Sequence, residues 1–237
     1  MFRLIREGAI ARLILDRPEA RNAITLTGWA ELLRLLGDLG DARLLIVRGE
    51  GGFCAGADLA DFAAMRADES LIAQFRETMR AALDTLRTLP IPTIAVIEGA
   101  CYGAGVALAM ACDLRLAAGN AGFAITPAKI GISYPQEDVH RLVELVGPGQ
   151  AARLLFTALA IDGAEAARIG LVELCDAGEG PIVEAILAND ADSLAALKRG
   201  IALAAKGRRS DSGQVELFDA LIAGPALAER LEARRRK

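Results

Sequence analysis

The sequence predicts an α/β fold in which a core of strands and helices is followed by a helical C-terminal part. Short apolar runs alternate with helical patterns through the first half of the 237-residue chain. After Gln136 the apolar spacing becomes almost wholly helical. Hydrophobic residues make up 53% of the chain and charged residues 24%, which is ample for a buried core. We place the α/β core in residues 1–175 and the helical region, an expected oligomerisation surface, in residues 176–237.

The first half combines both element types. Glu7 and Gly8 separate the first two apolar runs as a hairpin turn does, and Pro90 and Pro92 end a long helical pattern. Apolar runs between turn residues predict strands at Phe2–Ile5, Ile10–Leu15, Arg43–Val47, Thr93–Ile97, Leu114–Ala117 and Gly122–Ile125. Apolar residues three or four positions apart predict helices at Thr25–Leu39, Leu59–Phe62, Ser70–Leu89 and Tyr102–Met110.

The second half contains one predicted strand, at Leu171–Cys175. Helices are predicted at Glu137–Val146, Gly149–Thr157, Gly163–Gly170, Pro181–Leu187, Ser193–Ala205, Val215–Ile222 and Ala226–Arg236. The last of these helices carry apolar faces that the core does not have to cover, so we expect this half to contact other copies of the chain.

Composition excludes several function classes. The net charge is −4 and no basic stripe with interleaved aromatic residues occurs, so we expect no nucleic-acid partner. No apolar run approaches ~20 residues and the charged N-terminus does not resemble a signal peptide, so we expect no membrane contact. Cys54, Cys101, Cys112 and Cys175 form no CxxC pair and His140 is the only histidine, which predicts reduced thiols, a cytoplasmic protein and no metal site.

Two glycine-rich segments each follow a predicted strand and open a helix. The first, Gly51–Leu59, contains three glycines. Near its end lies Asp58, a residue type suited to a helix N-cap. Backbone N–H groups at such a junction can hold an anion or a developing oxyanion. A plain strand-to-helix turn would show the same pattern.

The second segment, Glu98–Leu108, contains Gly103 and Gly105. Leu108 occupies the place of the third glycine of a dinucleotide-binding motif, and no acidic residue follows at the required distance, so this reading is disfavoured. The segment instead favours a second helix N-terminus that donates an N–H. Two donors that converge from separate loops would form an oxyanion hole.

These motifs, in this order, resemble the enoyl-CoA hydratase/isomerase family, also called the crotonase superfamily. The similarity covers nearly the whole chain. It is carried by Leu13–Ile24, Phe53–Leu59, Gly99–Asp113, Phe123–Gly131, Arg141–Val143 and Gly163–Val172.

The resemblance implies a crotonase-like spiral of ββα units, a homotrimer or a dimer of trimers, and an acyl-CoA substrate. It places the oxyanion donors at the backbone N–H groups of Ala57 and Ala104, which would hold the thioester oxygen as it becomes an enolate. No cofactor is implied other than the coenzyme A of the substrate. Residues implied to contact that substrate are Arg17, Ala20, Asn22, Ala55, Gly56, Asp58, Leu59, Gly103, Thr126 and Pro127.

The chain departs from the family at its acid and base. Hydratases of the family use two glutamates, and these positions fall on Ala107 and Pro127, neither of which transfers a proton. The segment around Thr126 and Pro127, with Tyr134 and then His140, resembles the decarboxylase branch typified by methylmalonyl-CoA decarboxylase. There the matching tyrosine orients the leaving carboxylate, although the first donor position is histidine rather than Ala57. Decarboxylation of a malonyl-type CoA is therefore the preferred reaction.

Two alternatives stay open. One of Glu98, Glu137, Asp138 or His140 can act as a relocated acid or base for hydration or isomerisation of an enoyl-CoA. Alternatively, the chain binds acyl-CoA without turnover. The distance from these groups or from the Tyr134 hydroxyl to a bound thioester separates the possibilities.

Overall fold

A computed structural model describes residues 1–236 and confirms the predicted α/β class. Its strands are β1 (Phe2–Glu7), β2 (Ile10–Leu15), β3 (Leu44–Gly49), β4 (Thr93–Ile97), β5 (Ala100–Tyr102), β6 (Leu114–Ala117), β7 (Gly122–Ala124), β8 (Ile161–Asp162) and β9 (Leu174–Cys175). Its α-helices are α1 (Leu26–Leu36), α2 (Leu59–Ala67), α3 (Ser70–Thr88), α4 (Ala104–Ala111), α5 (Gln136–Thr157), α6 (Gly163–Arg168), α7 (Glu179–Ala188), α8 (Ala191–Ala205), α9 (Ser212–Ala223) and α10 (Pro225–Arg235). Short 3-10 turns cover Pro18–Ala20 and Pro127–Ile130.

The strands form two sheets. The larger sheet has the order β1-β2-β3-β4-β6-β9 and is parallel except for the β1–β2 hairpin. The smaller sheet has the order β5-β7-β8. Strands β3 and β4 read as apolar runs because both faces of the larger sheet are covered.

The two sheets grow together as a spiral of ββα units. After β2, β3, β4 and β6, the chain makes a short strand or a single bridge beside the smaller sheet and then enters a helix. After β4 and β6 these short segments are β5 and β7. In the preceding units they are isolated parallel bridges, Ile24 with Ala57 and Cys54 with Cys101. The loops that begin at Gly51 and Glu98 therefore belong to consecutive units and lie side by side.

Apolar residues are buried on both faces of the larger sheet. The main core lies between this sheet and α1, α3 and α4, and it includes the fully buried Trp29 and Leu83. A smaller cluster on the opposite face packs against Val183 of α7. Within residues 1–236, no helix combines the length and apolar content that crossing a membrane requires.

Several predicted elements differ in their bounds. The predicted helix at Tyr102–Met110 was wrong at its start, because residues 100–102 pair with β7 and the helix begins only after Gly103, whose φ of 49° turns the chain. The predicted helix at Leu59–Phe62 extends to Ala67. Strand β8 was not predicted, and only the last two residues of the predicted strand Leu171–Cys175 are paired.

The two predicted helices at residues 137–146 and 149–157 are joined as α5. Gly147 interrupts the helical geometry with φ 74° and ψ 163°, so the predicted break exists. The last strand described ends at Cys175 and is followed by helices. The division into regions 1–175 and 176–237 remains a prediction.

Candidate active site

A cavity with a volume of about 490 Å³ lies where the two glycine-rich loops meet α2, α3 and the first turn of α5. All the predicted site residues except Asn22 lie in its wall. These are Arg17, Ala20, Ala55, Gly56, Ala57, Asp58, Leu59, Gly103, Ala104, Thr126, Pro127 and Tyr134. The fold thus brings residues that are distant in sequence to one space.

The first loop presents the Ala57 amide to the cavity. Its neighbours bond to Ile24: the Ile24 N–H donates to the Gly56 carbonyl over 2.8 Å, and the Asp58 N–H donates to the Ile24 carbonyl over 3.0 Å. In a parallel bridge of this kind, the central residue directs its own N–H to the opposite side. Within residues 1–236, the Ala57 N–H donates to no protein acceptor.

The second loop presents the Ala104 amide. Ala104 is the first residue of α4, and the first N–H groups of a helix have no acceptor within it. Gly103 is fixed by its N–H, which donates to the Ala124 carbonyl over 2.8 Å. No acceptor in the described part of the chain takes the Ala104 N–H.

The two loops are packed main chain against main chain. A Cβ on Gly56, whose φ is 116°, would lie 3.1 Å from the Tyr102 carbonyl oxygen. A Cβ on Gly105 would lie 2.5 Å from the Cys54 carbonyl oxygen. Both glycines are therefore required by close approach. Two amides without a protein acceptor, both in residues that line one cavity, can stabilise negative charge on a carbonyl oxygen that binds to them.

An ion pair supports the first loop. Arg17 Nη1 lies 2.5 Å from Asp58 Oδ2 and donates to the Ala23 carbonyl over 3.1 Å. Asp58 also caps α2, because its Oδ1 accepts from the Ala60 N–H over 2.9 Å. The hydrogen bond from Arg17, followed by that from Ala60, lowers the pKa of the Asp58 carboxyl. Asp58 is therefore held as a carboxylate directly after the Ala57 donor.

Asn22, in contrast, lies behind the wall. It is 1% exposed and adopts the left-handed region with φ 56°. Its Oδ1 accepts from the Arg17 N–H over 2.8 Å, and its Nδ2 donates to the carbonyls of Glu50 and Gly52 over 3.0 and 2.7 Å. The side chain thus fastens the Arg17 segment to the first glycine-rich loop and has no surface for a ligand.

Tyr134 lies beside the second donor loop. Its hydroxyl donates to the Gly103 carbonyl over 3.0 Å. Burial, with a smaller contribution from the Asp138 carboxylate, raises the pKa of the Tyr134 phenol well above its ordinary value. The phenol therefore stays neutral, and its proton is held by the loop.

Of the four candidates for a relocated acid or base, only Asp138 lies in the cavity wall. Glu98 is 3.4 Å from Arg48 and borders a separate hollow. Glu137 is exposed. His140 is also exposed, with its Nε2 3.2 Å from Glu144 Oε1.

Asp138 is 4% exposed. Its Oδ1 accepts from Arg80 Nη1 over 3.0 Å, whereas its Oδ2 is buried and has no hydrogen-bond partner in residues 1–236. Burial raises the pKa of the Asp138 carboxyl, and the Arg80 guanidinium offsets part of the rise. Ala107 and Pro127 also lie in the wall and supply no acid or base.

Apart from Arg21, Ser133 and main-chain groups, the remaining wall is apolar, and it was not predicted from the sequence. It includes Phe62, Phe75, Met79, Ile130 and Ile132. The rings of Phe62 and Phe75 contact each other with centroids 5.7 Å apart. Phe75 and Met79 fall within the predicted helix Ser70–Leu89, but helical spacing does not show that they border a cavity. Within the described residues, no group of three or more His, Cys, Asp or Glu side chains could hold a metal ion.

Comparison with known proteins gives consistent matches. Residues 6–197 match the family model described as enoyl-CoA hydratase/isomerase. Methylglutaconyl-CoA hydratase of Mus musculus is 36% identical over 172 residues, covering 69% of this chain and 53% of that protein. An enoyl-CoA isomerase/hydratase of Mycosarcoma maydis is 34% identical over 177 residues, covering 69% of this chain and 64% of that protein. The chain thus spans between half and two thirds of the length of these relatives.

Solved structures are similar over the whole chain. An enoyl-CoA hydratase/carnithine racemase from Magnetospirillum magneticum has a TM-score of 0.93 and 30% identity, covering 99% of this chain and 92% of that one. An enoyl-CoA hydratase from Bacillus anthracis has a TM-score of 0.89 and 27% identity, covering 99% and 96%. The spiral and the helices behind it are therefore shared with these proteins.

Proposed function

Because the chain belongs to the enoyl-CoA hydratase/isomerase family, we propose that it is an enzyme that stabilises the enolate of an acyl-CoA thioester. The observation that carries this proposal is the pair of unpaired amides, Ala57 and Ala104, in one cavity. The thioester oxygen would accept both N–H groups, and their attraction would grow as negative charge develops on that oxygen. Arg17 and the loop around Asp58 lie at the side of the cavity where the coenzyme A moiety would bind.

Stabilisation of the enolate requires few protein groups beyond these two donors. Rigid backbone donors need no reorganisation during the reaction, and losing one typically costs ~10²–10³ in rate. We therefore propose that no cofactor is needed beyond the coenzyme A of the substrate. The apolar wall formed by Phe62, Phe75 and Met79 would receive the acyl chain and keep water from the enolate.

The reaction favoured by the cavity is proton transfer on an enoyl-CoA, that is, isomerisation or hydration. The support is the Asp138 carboxyl in the wall, together with the hydratases and isomerases named among the similar proteins. Ala107 and Pro127 occupy the positions of the two glutamates that the resemblance implies. Asp138 is therefore the wall residue whose side chain is chemically most similar to the missing glutamates.

Decarboxylation of a malonyl-type CoA is the second candidate. It needs no base, because departing CO₂ leaves its electron pair on C2, and Tyr134 does line the cavity. However, the Tyr134 proton is already donated to Gly103. A leaving carboxylate would meet the phenol lone pairs unless that bond breaks, so this reaction ranks below proton transfer.

We further propose that the chain assembles as a homotrimer or a dimer of trimers. The support is the apolar surface left on the C-terminal helices, where Ile201 is 71% and Phe218 64% exposed. Size-exclusion chromatography with light scattering should give three or six chains per particle. A monomer at micromolar concentration would contradict the proposal.

We also propose a cytoplasmic location. Cys54, Cys101 and Cys112 are free and buried, and burial raises the pKa of the Cys54 thiol to about 12, which suits a reducing compartment. Fractionation of cells that express the protein tests this location, and recovery in an oxidising compartment would contradict it.

The central experiment separates binding from turnover. Calorimetric titration with a non-hydrolysable acyl-CoA thioether measures binding. Incubation with crotonyl-, 3-enoyl- and methylmalonyl-CoA, followed by mass spectrometry, identifies the reaction. Binding with an isomerised or hydrated product supports the first candidate, and CO₂ release supports the second. Binding without any product would assign the chain to the non-catalytic acyl-CoA-binding alternative, and no binding would contradict the proposed function.

A further inference from the structure

We propose that Asp138 is the acid–base residue of this site and that it moves a proton between C2 and C4 of a bound 3-enoyl-CoA thioester. This inference rests on the function proposed above. It assigns a catalytic role to a position that the two-glutamate pattern of the resemblance does not include.

The geometry of Asp138 is unusual for a structural ion pair. Arg80 Nη1 reaches only Oδ1, over 3.0 Å, so the side chain is held in one orientation. Oδ2 is buried and accepts no hydrogen bond from the described chain. A buried carboxylate oxygen that accepts no hydrogen bond has lost its contacts with water and gained none from the protein. This costs free energy unless another group donates a hydrogen bond to it. Asp138 is one of the residues that line the cavity, and we take a bound substrate to be the partner that reaches Oδ2.

The other acidic side chains of the wall, Asp58 and Tyr134, already form hydrogen bonds with protein groups. Asp58 is bound to Arg17 and caps α2, and those hydrogen bonds lower the pKa of its carboxyl, making it a weak base. The Tyr134 phenol donates its proton to the Gly103 carbonyl. Among wall carboxyl groups described by the structure, Asp138 alone has an oxygen without a partner.

The charges around Asp138 suit a group that both takes and gives a proton. Arg80 and Asp84 face it from α3, with Arg80 Nε 3.1 Å from Asp84 Oδ1, and Glu137 and Tyr134 lie on its own side. Burial moves the pKa of the Asp138 carboxyl upward, and the Arg80 charge offsets part of that rise. An upward shift makes the carboxylate a stronger base than an exposed aspartate.

The step balances with one carboxyl group. The Asp138 carboxylate accepts the proton from C2, and the C–H electron pair becomes a dienolate whose oxygen is held by Ala57 and Ala104. The Asp138 carboxylic acid then donates a proton to C4 of the dienolate, and the acid can exchange that proton with solvent between the two transfers. The double bond moves from C3–C4 to C2–C3, and Asp138 returns to the carboxylate form without any oxidant, reductant or added water.

The experiment compares Asp138→Asn with Glu137→Gln. Each variant removes one carboxylate, but Glu137 is exposed and outside the wall. Exchange of the C2 hydrogen in heavy water and isomerisation of a 3-enoyl-CoA are measured, with thioether binding as the control. We expect Asp138→Asn to slow both rates by ~10²–10⁴-fold with binding nearly unchanged, and Glu137→Gln to leave all three within about twofold.

Exchange in Asp138→Asn within about threefold of the parent would overturn the inference. So would a parent protein that binds the thioether but neither exchanges the C2 hydrogen nor isomerises a 3-enoyl-CoA, an outcome that leaves the enolate proposal standing for decarboxylation. Loss of thioether binding in the parent would instead count against the proposed function itself. If Asp138→Asn does not fold, Asp138→Glu tests the same role: its acidic pH–rate limb should shift, and an unshifted limb would contradict it.

Discussion

A methyl group placed on Gly56 would lie 3.7 Å from the amide nitrogen of Ala104, although the two residues belong to different turns of the spiral. The first donor loop therefore supports the second directly, without an intervening side chain. Cys54 adds to this contact, since its Sγ lies 3.4 Å from the Gly56 nitrogen. The spacing between the two donors depends on this main-chain packing.

The first prediction concerns Gly56→Ala. The added Cβ would approach the Tyr102 carbonyl to 3.1 Å, and φ of 116° is unfavourable for alanine. We expect a loss of about 1–3 kcal/mol in unfolding free energy and a fall of ~10²-fold or more in kcat, because the donors move apart. Gly8→Ala, with φ 59° and open space around it, is the control for backbone strain alone. Equal activity in both variants would contradict the role of the contact.

The second prediction concerns Ala104→Pro. Proline is compatible with the first position of a helix but has no N–H, so the substitution removes the second donor while α4 keeps its conformation. We expect kcat/KM to fall by ~10²–10³-fold with an unchanged circular dichroism spectrum. Ala104→Gly keeps the N–H and should retain activity within about tenfold. Full activity in the proline variant would remove Ala104 from the oxyanion hole.

The third prediction concerns acid stability. Hydrogen bonds from Arg17 and then Ala60 lower the pKa of Asp58 in the folded state, so this group stabilises the fold above its unfolded pKa of ~3.9. That contribution is lost as pH falls through the depressed folded pKa. Melting temperature measured from pH 6 to pH 2 should therefore decline less steeply in Asp58→Asn than in the parent. Parallel curves would show that the pair does not contribute.

The fourth prediction concerns Tyr134→Phe. Removing the hydroxyl leaves the Gly103 carbonyl without this donor, which should lower the unfolding free energy by about 1–3 kcal/mol. Under the proton-transfer mechanism, we expect kcat to fall by less than about tenfold, because the phenol transfers no proton. CO₂ release from methylmalonyl-CoA that collapses in this variant would instead favour the decarboxylation candidate.

Much of the fold follows from local pattern. Strands β2, β4 and β6 have the predicted bounds, because each is an apolar run closed by turn residues or by a change of period. Strands β5 and β8 have three and two residues, too few for any periodicity, and they exist only because β7 pairs with them. Their positions depend on tertiary contacts that one sequence does not display.

The candidate site shows the same limit. Glycine spacing indicated the two loops, since both follow a strand and open a helix, and the family resemblance placed Ala57 and Ala104 in them. The resemblance also implied that Asn22 contacts the substrate, but its side-chain amide is hydrogen-bonded to main-chain groups behind the wall. The burial of Asp138 depends on Arg80, 58 residues earlier, and on the fold that brings α3 to α5. Adjacent Glu137 has the same chemistry and a different environment.

The two proposed donors are main-chain hydrogens from neighbouring units of the spiral, and this has an evolutionary consequence. Apart from proline, every coded amino acid at positions 57 and 104 would retain the hydrogen. Substitutions of wall side chains can therefore add, move or remove an acid or a base, or change which acyl chain fits. The two backbone hydrogen bonds to the substrate carbonyl would be retained. Proteins that evolve from this fold can therefore change reaction while they keep the two backbone donors that would accelerate each reaction.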